Sequence, residues 1–79
     1  MIKLDTLYRH FKGHLVFPFK VGKCAETGDS VVIYVCLSDN QVYTRKLSDW
    51  FTDVSDREDN TTGNKCRFEE YKTILNELN

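Results

Sequence analysis

The sequence predicts a small, mainly β domain of about five strands, and three observations lead to this prediction. The chain has 79 residues, which is enough for one domain. Residues 31–37 and 41–45 are rich in β-branched and aromatic side chains and flank a short Asp/Asn turn, which is typical of a β-hairpin. Residues 15–22 alternate between apolar side chains and others, which indicates a strand with one buried face.

The first part of the chain leads up to the hairpin. Residues 1–7 are expected to hold a short helical turn, and Gly13 is expected to end the segment that follows. The face of the next strand that is predicted to be buried carries Leu15, Phe17, Phe19 and Val21. Pro18 lacks a backbone N–H, which indicates a sheet edge or a bulge at that point. Residues 23–30 are predicted to form a loop.

A two-residue turn at residues 39–40 gives the hairpin a definite register, with Leu37 opposite Val42 and Tyr34 opposite Arg45. Side chains alternate across a strand, so the more aliphatic face is predicted to be core. That face carries Ile33, Val35, Leu37, Val42 and Thr44. The other face carries Val32, Tyr34, Cys36, Gln41, Tyr43 and Arg45. This second face is interpreted either as a ligand platform or as a half-exposed face stabilised by cross-strand aromatic pairs.

A helical turn is predicted at residues 47–51, with Ser48 as its cap. Trp50 and Phe51 are expected to plug an open end of the β structure. Residues 52–54 are predicted to add a short closing strand. An SH3-like architecture, with a strongly bent sheet or small barrel, fits this series of elements best.

The remaining chain is predicted to form a mobile loop and a C-terminal element. Residues 55–65 contain no large apolar side chain, which is typical of a loop. Apolar residues at helical spacing within 66–78 predict a C-terminal strand or helix. The whole chain, 1–79, is therefore expected to be a single domain with a β core at 8–54.

Composition limits the classes of partner. A net charge of −1 argues against a protein that binds nucleic acid through bulk charge. The sequence shows no signal peptide and no apolar run that would span a membrane, and its three cysteines are widely spaced. We therefore expect a cytoplasmic protein with reduced thiols. A chain this short buries a thin core, so self-association into a homo-oligomer is also expected.

Residues 8–13, with the sequence Tyr-Arg-His-Phe-Lys-Gly, resemble the opening signature of a family of short bacterial and phage domains of unknown function. The resemblance covers about residues 8–68. Its later motifs are matched by Glu26 with Thr27, Val31 with Val32, Tyr43 with Arg45, Trp50, and Arg67 with Phe68. This chain departs from the family pattern at Cys24 (usually His), at Lys46 (usually Pro) and in an extension at 57–65. The resemblance implies a compact β domain and no established activity.

Polar residues at these motif positions, together with nearby tyrosines, suit a pocket for a small anionic ligand. Aromatic rings stack a base, and Arg or Lys side chains hold a phosphate. The candidate ligand-binding residues are Tyr8, Arg9, His10, Lys12, Glu26, Tyr34, Tyr43, Arg45 and Arg67. The alternative is that Arg9 and Arg45 form ion pairs with Glu26 and neighbouring carboxylates and so stabilise the fold.

No metal, cofactor or enzymatic activity is expected. The cysteines lack the paired spacing of zinc sites, and although His10 and His14 are four residues apart, Gly13 disfavours a helix that would place them together. No phosphate-cradling loop is present. We expect a non-enzymatic binding module whose partner is a nucleotide-like anion or a protein. By analogy with small phage proteins, a counter-defence role is expected, in which the module sequesters a nucleotide signal or blocks a host defence protein. The alternative is a structural or protein-interaction domain without a small ligand.

Overall fold

A computed structural model describes residues 2–71 as one antiparallel sheet of five strands with very little helix. The strands are β1 (Tyr8–His10), β2 (Leu15–Lys23), β3 (Ser30–Cys36), β4 (Gln41–Lys46) and β5 (Phe68–Glu70). Their order across the sheet is β4-β3-β2-β1-β5, and helix α1 (Leu47–Trp50) directly follows β4. The predicted mainly β domain with about five strands and a short helical turn is confirmed.

The sheet is unclosed but strongly bent. Strands β4 and β5 are its two edges, yet the Arg45 guanidinium carbon lies 5.7 Å from the centre of the Phe68 ring. The register of β2 against β3 shifts between Pro18 and Lys20, which confirms the bulge indicated by the proline. Such a bulge increases local twist and helps a sheet to bend.

The core is a cluster of aromatic rings around Trp50, which is fully buried. The Trp50 ring stacks on Phe68 with 3.9 Å between ring centres and 9° between planes. Tyr8 and Tyr34 meet Trp50 edge to face at 5.4 and 5.2 Å. Trp50 is therefore buried as predicted, whereas Phe51 is exposed. Offset and edge-to-face contacts of this kind are the favoured geometries of aromatic pairs.

Three local predictions are wrong. Residues 2–7 form no helical turn, and the N–H of Asp5 instead donates to the Pro18 carbonyl at 2.8 Å. Ser48 does not cap α1, whose N-cap position is Lys46 and has no side-chain cap. The closing strand at 52–54 is reduced to a single bridge between Asp53 and Cys66.

The prediction of a two-residue hairpin turn at residues 39–40 is also wrong. Residues 37–40 form a four-residue loop, so that Cys36 faces Gln41 and Tyr34 faces Tyr43. Asn40 adopts a left-handed backbone with φ 58°, and its N–H donates to the Cys36 carbonyl at 2.8 Å. Asn tolerates this conformation better than most residues, which makes the longer turn possible.

The two faces of the hairpin keep their predicted members, but the buried face is the opposite one. Val32 is fully buried and Tyr34 is 7% exposed, whereas Leu37 is 50% and Val42 is 59% exposed. Strand β2 shows the same inversion: Val16 and Pro18 are buried, while the predicted core residue Phe19 is exposed. The buried face is the one that packs with Trp50: Val32 and Tyr34 belong to its core cluster, and the Tyr34 ring meets Trp50 edge to face.

Residues 55–65 are tied to the sheet by asparagine side chains. The Asn64 side chain is buried, and its amide donates to the Arg9 carbonyl at 2.8 Å. The Asn60 amide donates to the carbonyls of Val54 and Asn64. The mobility of this segment stays a prediction. The predicted C-terminal element is a strand at Phe68–Glu70, and its helical continuation over 72–78 lies outside the described residues.

No helix within the described range has the length and apolar character that crossing a membrane requires.

The inverted core face can be tested by placing one charge on each side of β3. Val32→Asp buries an unpaired carboxylate and should lower the free energy of unfolding by about 3–5 kcal/mol. Val35→Asp puts the same charge on the half-buried outer face and should cost about 1 kcal/mol. Urea denaturation followed by circular dichroism measures both. A larger loss for Val35→Asp than for Val32→Asp would contradict the observed register.

Candidate functional site

An open pocket of about 300 Å³ lies on the inner face of the sheet beside the aromatic core. All five strands and the loop between β3 and β4 contribute to it. Its lining consists of His10, His14, Val16, Tyr34, Cys36, Ser38, Asp39, Tyr43, Arg45 and Phe68. The pocket exists because the bend of the sheet brings β1 and β5 towards β4.

Two tyrosines form one wall of the pocket. Tyr34 and Tyr43 face each other on β3 and β4, and their rings are nearly parallel, with centres 5.9 Å apart and 27° between planes. Tyr34 is buried against Trp50 and Phe68. Tyr43 is 42% exposed. This arrangement holds one ring firmly and leaves the second accessible for stacking by a planar ligand.

Arg45 supplies a positive charge on the same wall. It follows Tyr43 by two residues along β4, so both side chains lie on one face. Its Nε atom is buried without a hydrogen-bond partner, and no salt bridge to Arg45 occurs among residues 2–71. The charge is held near the Phe68 ring rather than by a carboxylate.

The alternative in which arginines pair with Glu26 is wrong. Glu26 is exposed in the loop between β2 and β3 and forms no salt bridge with Arg9 or Arg45. Arg9 instead lies over the Tyr71 ring, at 5.4 Å from its centre. Among residues 2–71, neither Arg9 nor Arg45 forms a salt bridge with Glu26 or with another carboxylate.

A second arginine adds to the positive field near the pocket. Arg67 packs over Phe11 at 5.6 Å from the ring centre, and its Nε is also buried without a hydrogen-bond partner in the described structure. Burial, followed by the positive charges of Arg45 and Arg57, lowers the pKa of Arg67. Two guanidinium groups that repel each other in this way would both be stabilised by an anion placed close to them.

His10 is neutral at physiological pH. Burial lowers its pKa to about 4, with further lowering by Arg45, His14, Arg67 and Lys12. Its Nδ1 accepts a hydrogen bond from the backbone N–H of Lys12 at 3.1 Å. The proton of the neutral ring is therefore on Nε2, which makes that atom a hydrogen-bond donor.

Asp39 provides the carboxylate of the pocket lining. It accepts hydrogen bonds from the Tyr43 hydroxyl and from the Gln41 N–H, the latter at 3.1 Å. The bond from Tyr43 is the main cause of a lowered pKa of Asp39, which keeps the carboxyl ionised at neutral pH. Asp39 was not among the predicted site residues, because an aspartate in a hairpin turn needs no ligand to explain it.

Four of the nine predicted site residues meet at this pocket, namely His10, Tyr34, Tyr43 and Arg45. Arg67 does not line it but is close enough to Arg45 for the two charges to interact. The predicted site residues do not include the other six lining residues, which are His14, Val16, Cys36, Ser38, Asp39 and Phe68. His14, Ser38 and Asp39 reach the pocket because they lie in the two turns, at residues 11–14 and 37–40.

The other predicted residues lie elsewhere. Tyr8 is buried in the core, and its hydroxyl accepts a hydrogen bond from the Lys3 N–H at 3.1 Å. Lys12 pairs with Asp59 at 3.4 Å. Arg9 and Glu26 do not line the pocket. Within residues 2–71, no group of three or more His, Cys, Asp and Glu side chains is placed to share a metal ion.

Comparison with known proteins identifies one family. A family model described as a protein of unknown function (DUF1653) matches residues 6–70, a range that includes every strand of the sheet and the whole pocket lining. No curated protein and no solved structure matches the chain.

The pKa of His10 predicts a pH dependence of stability. Between pH 6.5 and about 4 the unfolded chain protonates this histidine while the folded chain keeps it neutral. The free energy of unfolding should therefore fall as the pH is lowered through this window, and the His10 contribution should level off below about pH 4. Chemical denaturation of the wild type and of His10→Gln at matched pH values isolates this contribution. A nuclear magnetic resonance titration midpoint of His10 near 6.5 would contradict it.

Proposed function

We propose that this chain, which belongs to the DUF1653 family of proteins of unknown function, is a non-enzymatic binding module for a small, nucleotide-like anion. The observation that carries the proposal is Arg45, a guanidinium without a carboxylate partner in the described structure, placed on one face with the accessible ring of Tyr43. An anion and a planar group joined in one molecule would satisfy both side chains.

The size and lining of the pocket support a small ligand. Ligand pockets typically have volumes from about 300 to 1,000 Å³, and this one lies at the lower end. It combines aromatic walls with a few polar groups of different chemistry: the Arg45 cation, the His10 donor and the Asp39 acceptor. This combination fits a mononucleotide-sized molecule better than a simple inorganic anion, which would use only the cation and the donor.

The surroundings of the reactive side chains support binding rather than catalysis. His10 has its Nδ1 occupied by a backbone N–H, so the neutral ring offers a donor to the pocket and not a base. The Cys36 sulfur contacts the Ser38 hydroxyl at 3.1 Å, and a hydroxyl does not activate a thiol as an imidazole would.

The proposal extends to a counter-defence role, in which the module sequesters a nucleotide signal. Sequestration needs only tight, stoichiometric binding, which a small non-enzymatic domain can provide. Support comes from the nucleotide-like chemistry of the pocket and from the resemblance of residues 8–13 to a signature of phage and bacterial domains.

A second candidate function, protein interaction including self-association, is favoured by the outer face of the sheet. Phe17, Val35 and Val42 form a cross-strand row on that face, and Leu37 and Val42 are largely exposed. Exposed apolar side chains that cluster on one sheet face are typical of interaction surfaces.

Light scattering tests self-association. If the outer face joins two copies, the wild type should have a mass above 9.3 kDa at micromolar concentration, and Val42→Lys should return it to the monomer mass. Gln41→Lys puts the same charge at an exposed position of β4 on the other face, outside the pocket lining, and serves as the control for charge alone. A monomer mass for the wild type across a hundredfold dilution series would exclude the homo-oligomer.

Substitution of Arg45 tests the ligand proposal. Arg45→Ala should weaken the binding of nucleoside monophosphates roughly tenfold to a hundredfold, since a hydrogen-bonded ion pair is lost. Arg45→Lys should restore only part of the affinity, because an ammonium lacks the planar fork of a guanidinium. Isothermal titration calorimetry measures the affinity, and a thermal melt of the same sample verifies folding.

The matched control is Lys46→Ala. Lys46 is the next residue along β4, carries the same charge, pairs with Asp29 at 3.7 Å and does not line the pocket. Lys46→Ala should leave the affinity for nucleoside monophosphates within about twofold of the wild-type value. Equal losses from the two variants would mean that only general charge matters, and the pocket would then not be the site. Mass spectrometry of small molecules released from the purified wild type provides an independent search for the natural ligand.

A further inference from the structure

We infer that Asp39 selects the ligand by its hydrogen-bond donors, so that the pocket prefers a base with two adjacent N–H groups, as guanine has; this inference rests on the proposed function. Three observations carry it: the position of Asp39 beside Tyr43, the separation of its charge from Arg45, and the way in which its two oxygens are already used.

The position of the carboxylate is fixed by the hairpin. Asp39 lies in the four-residue loop, where the Tyr43 hydroxyl binds one of its oxygens and the Gln41 N–H binds the other. The carboxylate is therefore held at the hydroxyl end of the Tyr43 ring. A base that stacks on the accessible part of this ring would direct one of its edges towards Asp39.

The pocket has a negative charge just before β4, on Asp39, and a positive charge within β4, on Arg45. Asp39 precedes the strand, Tyr43 lies within it, and Arg45 follows on the same face, about 7 Å further along. A bare anion bound at Arg45 would gain nothing from Asp39. A ligand that carries its anion at one end and hydrogen-bond donors at the other end would use both groups.

The remaining lone pairs of Asp39 define which donors fit. A carboxylate has about four acceptor positions, two on each oxygen. Tyr43 and Gln41 each occupy one, on different oxygens, which leaves at least one on each oxygen for a ligand. Two parallel acceptors match the neighbouring N1–H and N2–H donors of guanine, whereas adenine, cytosine and uracil present an acceptor next to a donor on the corresponding edge.

The first test uses the wild type and three purine nucleotides. Guanosine 5′-monophosphate should bind most tightly. Inosine 5′-monophosphate lacks the N2 amino group and should bind roughly tenfold more weakly. Xanthosine 5′-monophosphate carries a carbonyl at that position, which would face the carboxylate, and it should bind more weakly still.

The second test exchanges the carboxylate for an amide. Asp39→Asn should reverse the preference, because the new NH₂ group donates to the xanthine carbonyl while the amide oxygen accepts from N1–H. Asn is well suited to a turn, and the side chain is exposed, so the fold should persist. Asp56→Asn removes the same charge from an exposed residue that does not line the pocket and should keep the wild-type ranking.

The outcomes separate this inference from the proposed function. A reversed ranking in Asp39→Asn alone supports the selection by Asp39. Equal affinity of the wild type for guanosine and xanthosine monophosphates, or an unchanged ranking in Asp39→Asn, overturns it, and the proposed function stands if Arg45→Ala still weakens all three ligands. Absence of binding by every nucleotide removes the proposed function and this inference together.

Discussion

The stack of Trp50 on Phe68 is the contact on which the bent form of this sheet depends. Phe68 begins β5 at one edge of the sheet, and Trp50 ends the helix that directly follows β4 at the other edge. One aromatic pair therefore connects the two ends of an unclosed sheet. Tyr8 on β1 and Tyr34 on β3 both meet the Trp50 indole edge to face, so the strands between the two sheet edges follow the same bend. A domain with so few buried residues has little other means of fixing its curvature.

The Phe68 ring also connects the core to the candidate site. Phe68 contacts Trp50 on the core side and lies 5.7 Å from the Arg45 guanidinium on the pocket side. Attraction between the cation and the ring offsets part of the cost of removing an unpaired guanidinium from water. The edge of the His10 ring also meets Phe68, with 4.9 Å between ring centres. The pocket is therefore shaped by the packing that stabilises the fold, and its geometry cannot vary independently of the core.

The sequence predicts the strands and the helical turn better than it predicts which face of each strand is buried. The strand pattern, the bulge at Pro18 and the burial of Trp50 follow from local chemistry and are confirmed. The predicted buried face is wrong because aliphatic content does not decide burial in this sheet: Val32 and Tyr34 are buried by a tryptophan that is distant in the sequence. The predicted site residues include only four of the ten residues that line the pocket. Its membership depends on contacts between β1, β4 and β5, which no local pattern specifies.

The distribution of charge explains how a protein of net charge −1 can offer a positive pocket. The salt bridges among residues 2–71 use cations outside the pocket lining, such as Lys12 and Arg57 with Asp59. Arg45 and Arg67 are left without carboxylate partners in that part of the chain. Electrostatic screening at physiological ionic strength acts over about 8 Å, so an anion bound at Arg45 experiences mainly nearby charges, which are the two arginines and the Asp39 carboxylate of the pocket lining. A long polyanion would extend over the surface and meet the carboxylates concentrated in residues 48–60. This charge pattern is the one that the proposed binding of a small anion requires, and it opposes the approach of an extended polyanion.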